Sequence, residues 1–74
     1  MTLEQLKVGQ QAEIEDISAA NGLRRRLMEL GLTPGATVSV IRIAPMGDPM
    51  EISVRGYRLS LRKLDASLIQ CRER

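Results

Sequence analysis

Three consecutive arginines, Arg24, Arg25 and Arg26, are the residues of this chain best equipped for chemistry. On a helix they fan out in different directions, which suits contact with a partner. Arginines on a small domain more often serve solubility and the rim of a contact. Other reactive chemistry lacks its parts. The chain has no His, its single Cys71 has no candidate base, and no serine sits in a nucleophile-elbow pattern. Paired carboxylates would need a pocket, and a 74-residue core leaves little room for one. Borderline and soft metals want imidazoles and thiols, of which there is one thiol in all. Asp48 and Glu51 are two loop carboxylates without further spaced oxygen ligands, a pattern that suits turn chemistry better than a cation. The expectation is a binding module: not an enzyme, with no catalytic residue, no metal ligand and no cofactor.

Two segments carry the candidate contact residues. In the first, Leu23, Leu27 and Leu30 fall at i, i+4 and i+7, a narrow apolar stripe for a short helix, while the arginines cover the rest. Met28 lies off that stripe between Arg24 and Arg25, an apolar residue ringed by cations in the manner of an interface anchor with a polar rim. Gly31 supplies the left-handed residue that ends a helix, and Pro34 keeps it from resuming. In the second segment, Ala44 to Met50, two prolines bracket Gly47-Asp48 and stiffen a loop. Met46 has no place in the surrounding alternation and is expected at the surface, where an adaptable thioether suits a partner. The candidate partner-binding residues are therefore Arg24, Arg25, Met28, Met46 and Asp48.

Charge is segregated along the chain. Net charge is −3 over residues 1–20, +3 over 21–44, −2 over 45–54 and +4 over 55–74. A basic face of this kind can track phosphates, but base-binding barrels interleave aromatic residues with the cations, and here Tyr57 alone can stack. A small basic barrel that binds nucleic acid or a transcription complex through its C-terminal third is the alternative reading, and it predicts steep salt dependence. No signal-peptide pattern opens the chain, the lone cysteine cannot close an intrachain disulfide, and the longest apolar run is far too short for a bilayer. A cytoplasmic protein without direct membrane insertion is expected.

The elements that must position these residues are short. Turn residues recur every eight to twelve positions, at Gly9, Asn21-Gly22, Gly31, Pro34-Gly35, Pro45 to Pro49 and Gly56. Thr2 and Gln5 resemble a capping box, with Leu3 and Leu6 facing inward as a lid over one end. Ala12 and Ile14 alternate with acids, then the phase breaks so that Ile17 returns inward after Asp16, which predicts a bulge. Residues 36–44 also swap faces midway, after Val40. Met50, Ile52 and Val54, then Tyr57, Leu59 and Leu61, read as a hairpin with one buried face. Leu68, Ile69 and Cys71 make a brief closing strand after a turn at Lys63 to Ser67. Leu23, Leu27, Leu30, Val38, Val40, Ile52, Val54, Leu59, Leu61 and Ile69 are assigned to the core. The whole is one domain, 1–74: mainly β, a small, partly open barrel of about five short strands with one short helix between the first two. An exposed edge strand either pairs with a second copy or is covered by the N-terminal turn.

In order and spacing, Leu6 to Gln10, Arg26 to Gly35, Ala44 to Pro49, and Gly56 to Arg62 followed by Asp65-Ala66 resemble the FeoA family, the small cytosolic components of bacterial ferrous iron transport. The resemblance covers nearly the whole chain. It implies an SH3-like barrel, a family-level link to transition metal ions, and a partner, the cytosolic G-protein region of the membrane permease FeoB. The same barrel is similar to the C-terminal domain of some metal-dependent repressors, which carry it behind a helix-turn-helix and a dimerisation region. A free-standing accessory protein on the permease is the expectation, and with such a partner one of the three helix arginines is a candidate to enter the nucleotide site and stabilise the charge that develops in GTP hydrolysis, as arginine fingers do.

Overall fold

The computed structural model describes residues 1–74. A 3₁₀ turn at Leu3–Gln5 leads into β1 (Gln11–Ile17), helix α1 (Asn21–Glu29), β2 (Thr37–Ile43), β3 (Met50–Val54), β4 (Tyr57–Leu61), a one-turn helix α2 (Lys63–Ala66) and β5 (Ile69–Glu73). The strands form one antiparallel sheet in the order β4-β3-β2-β1-β5. The sheet wraps around an aliphatic core to which every element contributes.

The two phase breaks in the sequence are where the sheet bends. Register shifts between Ile14 and Asp16 on β1, and between Val40 and Arg42 on β2. The first shift lets Ile14 and Ile17 both turn inward, three residues apart, where strict alternation would expose one of them. The N-terminal turn acts as the expected lid. Leu3 and Leu6 are buried, Gln5 Oε1 accepts from the Thr2 N–H at 2.8 Å, and Thr2 bridges to Gln70 beside β5.

Helix α1 ends in a Schellman motif: the Gly31 N–H donates to Met28 O at 3.0 Å and the Leu32 N–H to Leu27 O at 3.2 Å. Gly31 takes φ +100°, and the buried Leu27 and Leu32 provide the apolar contact that goes with the motif. This stop directs the chain into β2. The β3–β4 turn is a two-residue link with positive φ at both Arg55 and Gly56, the geometry that matches the twist of a hairpin.

The turn expected at Lys63 to Ser67 closes as one turn of helix over Lys63–Ala66, whose first N–H donates to Asp48 Oδ1. Two expectations need correction. Tyr57 is 42% exposed although the alternation places it inward; its hydroxyl lies near Gly31 at the end of α1. Leu23, Leu30 and Leu59 are half-buried against the core rather than within it, since α1 and β4 sit at its margin.

Candidate partner-binding surface

Helix α1 places Arg24, Arg25 and Met28 together. With Asn21 and Glu29 they line a shallow groove of about 450 Å³ on the outward side of the helix. The five residues share that side because they recur at intervals of three and four. Three of the five sequence candidates therefore form one surface, although their roles differ.

Arg24 is committed to the fold. Its guanidinium donates to Asp16 Oδ1 at 3.0 Å and to Ile17 O at 3.4 Å, and its Nη1 lies 3.6 Å from Met28 Sδ. The hydrogen bond from Arg24, followed by that from the Ile17 backbone, holds the Asp16 carboxyl below its ordinary range. Met28 is half-buried, not the exposed anchor the helical wheel suggests, because it packs inward against the core and lies alongside the Arg24 side chain. It forms the floor of the groove. Arg25 is exposed and makes no hydrogen bond or ion pair, so its charge is free to meet a partner. The sequence ranks these three alike because it does not show that the bulge brings Asp16 under Arg24.

The loop candidates lie on β2–β3, apart from the groove residues in sequence. Met46 is 92% exposed, as expected of a residue outside the alternation. Asp48 accepts from the Lys63 N–H at 2.9 Å, which ties the loop to α2. Its carboxylate anchors the fold, and the loop tip that a partner meets is Met46.

A residue outside the candidate set ties the β3–β4 turn to the end of α1. Arg55 donates through Nε to Gly31 O at 3.2 Å and through Nη2 to the Thr33 hydroxyl. It satisfies a carbonyl just beyond the last turn of α1, where helix ends leave acceptors open. Arg55 itself has positive φ, +49°. The sequence signal was the Arg55-Gly56 pair itself, a turn whose first residue is not the usual Asn, Asp or Gly.

No three His, Cys, Asp or Glu side chains gather anywhere in the structure. Cys71 is buried, and burial pushes its thiol above the usual range. No helix is long and apolar enough to cross a membrane.

Comparison with known proteins places this geometry. The family model described as the FeoA domain matches residues 1–73. A fusion protein of Porphyromonas gingivalis, Fe(2+) transport protein A joined to Fe(2+) transporter FeoB, is 36% identical over 70 residues, covering 95% of this chain. The chain spans 8% of that relative's length. Among solved structures, the solution structure of FeoA from Chlorobium tepidum superposes with a TM-score of 0.91 at 42% identity, covering 99% of this chain and 70% of that one. FeoA of Stenotrophomonas maltophilia, complexed with zinc and described as a procaryotic SH3 domain protein, superposes with a TM-score of 0.85 at 32% identity, covering 97% of this chain and 89% of that one. The bent five-stranded sheet is thus an SH3-like barrel, and the chain belongs to the FeoA family.

Proposed function

We propose that this chain is a non-enzymatic adaptor of ferrous iron uptake that docks on the cytosolic G-protein region of a FeoB-type transporter. One observation carries the reading: in Porphyromonas gingivalis a segment 36% identical to this chain is part of the same polypeptide as a FeoB transporter. Fusion keeps two modules at high effective concentration, an arrangement that suits modules whose contact matters and whose free affinity is modest. The adaptor works at the cytoplasmic face of the membrane.

The outward side of α1 is the docking face in this reading. Arg25 brings an unpaired cation, Met28 an apolar floor, and the bonds from Arg24 to Asp16 and Ile17 hold the helix still, so little freedom is lost on contact. Met46 on the stiff β2–β3 loop supplies a second apolar contact.

The test is a fluorescence titration of the purified G-protein region of a FeoB-type transporter with wild type, Arg25→Glu and Met28→Glu, in GDP and in a non-hydrolysable GTP analogue. Wild type is expected to bind, and each variant to bind about tenfold more weakly or worse, as central interface substitutions do. Unchanged affinity for both variants moves the contact away from α1; no binding by wild type in either nucleotide overturns the reading. GTP turnover measured alongside decides the arginine-finger role. If wild type stimulates turnover and Arg25→Ala does not at a concentration that saturates binding, Arg25 is the finger; absence of stimulation by wild type ends that idea.

A further inference from the structure

The sheet has two edges, and they are treated differently. Beyond β5, Met1 and Thr2 run alongside: the Cys71 N–H donates to Met1 O at 2.8 Å and Thr2 bridges to Gln70. Beyond β4 nothing pairs. In the β3–β4 hairpin Val54 faces Tyr57 across a two-residue turn, so Tyr57, Leu59 and Leu61 exchange backbone hydrogen bonds with β3. The N–H and C=O groups of the alternate residues, Arg58 and Ser60, therefore point out of the sheet, and both residues are exposed.

The sequence of this edge is basic. From Arg55 to Lys63 there are four cations, Arg55, Arg58, Arg62 and Lys63, and no acid; Arg55 is turned to Gly31 and Thr33, and at the far end the Asp48 carboxylate accepts from the Lys63 backbone N–H, which leaves Arg58 and Arg62 as the cations beside the open backbone groups. Glu51 on β3 approaches Arg58 only at 3.8 Å, and Arg62 and Lys63 have no ion-pair partner. A second copy pairing antiparallel about Ser60 would set Arg58 opposite the other copy's Arg62, so self-pairing along the edge is opposed. An acidic strand meets the opposite situation, since each of its carboxylates falls near a cation while its backbone satisfies the open groups.

We propose that the outer edge of β4 is a binding site for an acidic, extended peptide segment, which adds to the sheet as a sixth strand through the backbone of Arg58 and Ser60. Main-chain hydrogen bonds supply the affinity and the row of cations selects the sign of the guest. The site is separate from the α1 surface, and failure of either leaves the other standing.

The probe is a fluorescent peptide of about eight alternating valine and glutamate residues, long enough to cover a strand of this length, with an alternating valine and lysine peptide as control. Anisotropy is expected to show saturable binding of the acidic peptide that weakens as salt rises, and none of the lysine peptide. Amide hydrogen exchange is expected to slow about tenfold or more at Arg58 and Ser60 when the acidic peptide is bound. Ser60→Pro, which removes one outward N–H without touching the β3 ladder, is expected to weaken binding at least about tenfold. Arg58→Glu with Arg62→Glu keeps the backbone donors and reverses the charge; it is expected to abolish binding of the acidic peptide, and decides the matter if the proline variant fails to fold. No binding of the acidic peptide at low salt, equal binding of the lysine peptide, or binding without slowed exchange at Arg58 and Ser60 overturns the proposal.

Discussion

Arg24 on α1 donates to Asp16 Oδ1 at 3.0 Å across the bulge that lets β1 turn Ile17 inward. One side chain thus fixes the helix to the point where the strand changes phase, and the same guanidinium reaches the Ile17 carbonyl. The pair is exposed, so solvent and salt screen it.

Acid should remove its contribution. The folded carboxyl of Asp16 is held below its unfolded value, first by the Arg24 hydrogen bond. A group depressed on folding contributes above its unfolded pKa, about 3.9 for Asp, and loses that contribution as pH falls through the folded pKa. Asp16→Asn is therefore expected to melt below wild type at pH 7, by a margin that narrows as pH falls below about 4 and the carboxyl takes up its proton. Thermal melts across that range check this, and a difference that does not narrow in acid means that the pair is not its source.

Gly31 and Gly35 separate backbone strain from crowding. Both have positive φ, +100° and +92°. A Cβ at Gly31 would lie 3.3 Å from Arg55 Cδ and from Tyr57 Oη, whereas one at Gly35 meets nothing within 4 Å. Gly35→Ala is expected to cost about 1–2 kcal/mol, the backbone penalty alone. Gly31→Ala should cost more, because Arg55 must also shift from its bonds to Gly31 O and Thr33. Urea unfolding of the two variants compares them directly; equal midpoints would show that the Arg55 contact yields freely.

The bends of the barrel were legible because side-chain alternation has a period of two, and a bulge breaks it visibly at Asp16 and again after Val40. The end of α1 was legible because Gly31 is a left-handed residue at the end of an apolar stripe. What lay hidden depends on residues distant along the chain. Nothing near Arg24 announces that Asp16 lies beneath it, nothing near Lys63 shows that Asp48 caps its N–H, and a single helical turn is too short to show a period. Tyr57 breaks its own alternation: it is exposed, and its hydroxyl lies close to Gly31, twenty-six residues earlier in the chain. The same limit applied to the candidate surface: the sequence supplied five residues, and the fold divides them into anchors, Arg24 and Asp48, and free groups, Arg25 and Met46, with Met28 between.

Cys71 should report on unfolding. Its side chain is buried on β5, and burial raises the thiol above its ordinary value. The unfolded chain then gives up its proton first, so stability falls as pH rises past the unfolded value of about 8.5. Alkylation of wild type at pH 8 is expected to be slower than that of a free thiol in proportion to the small fraction of chains that are open, and Cys71→Ala should flatten the loss of stability between about pH 8 and 10. Labelling as fast as that of a free thiol would contradict the burial.

Asp48 and Met46, two residues apart, allow anchoring and docking to be told apart in one loop. Asp48→Ala leaves the first N–H of α2 without its acceptor, and losses of this kind cost about 0.5–2 kcal/mol, here toward the low end because water can replace the carboxylate. Met46 touches nothing that folding needs, since 92% of it is exposed, so Met46→Ser should leave the melting temperature unchanged. If the loop tip docks on the G-protein region, Met46→Ser weakens association at constant stability. Asp48→Ala weakens it only as far as the loop loses its hold on α2, which faster amide exchange at Lys63 would report. Equal association for wild type and Met46→Ser, measured beside the Met28→Glu titration, would confine the docking face to α1.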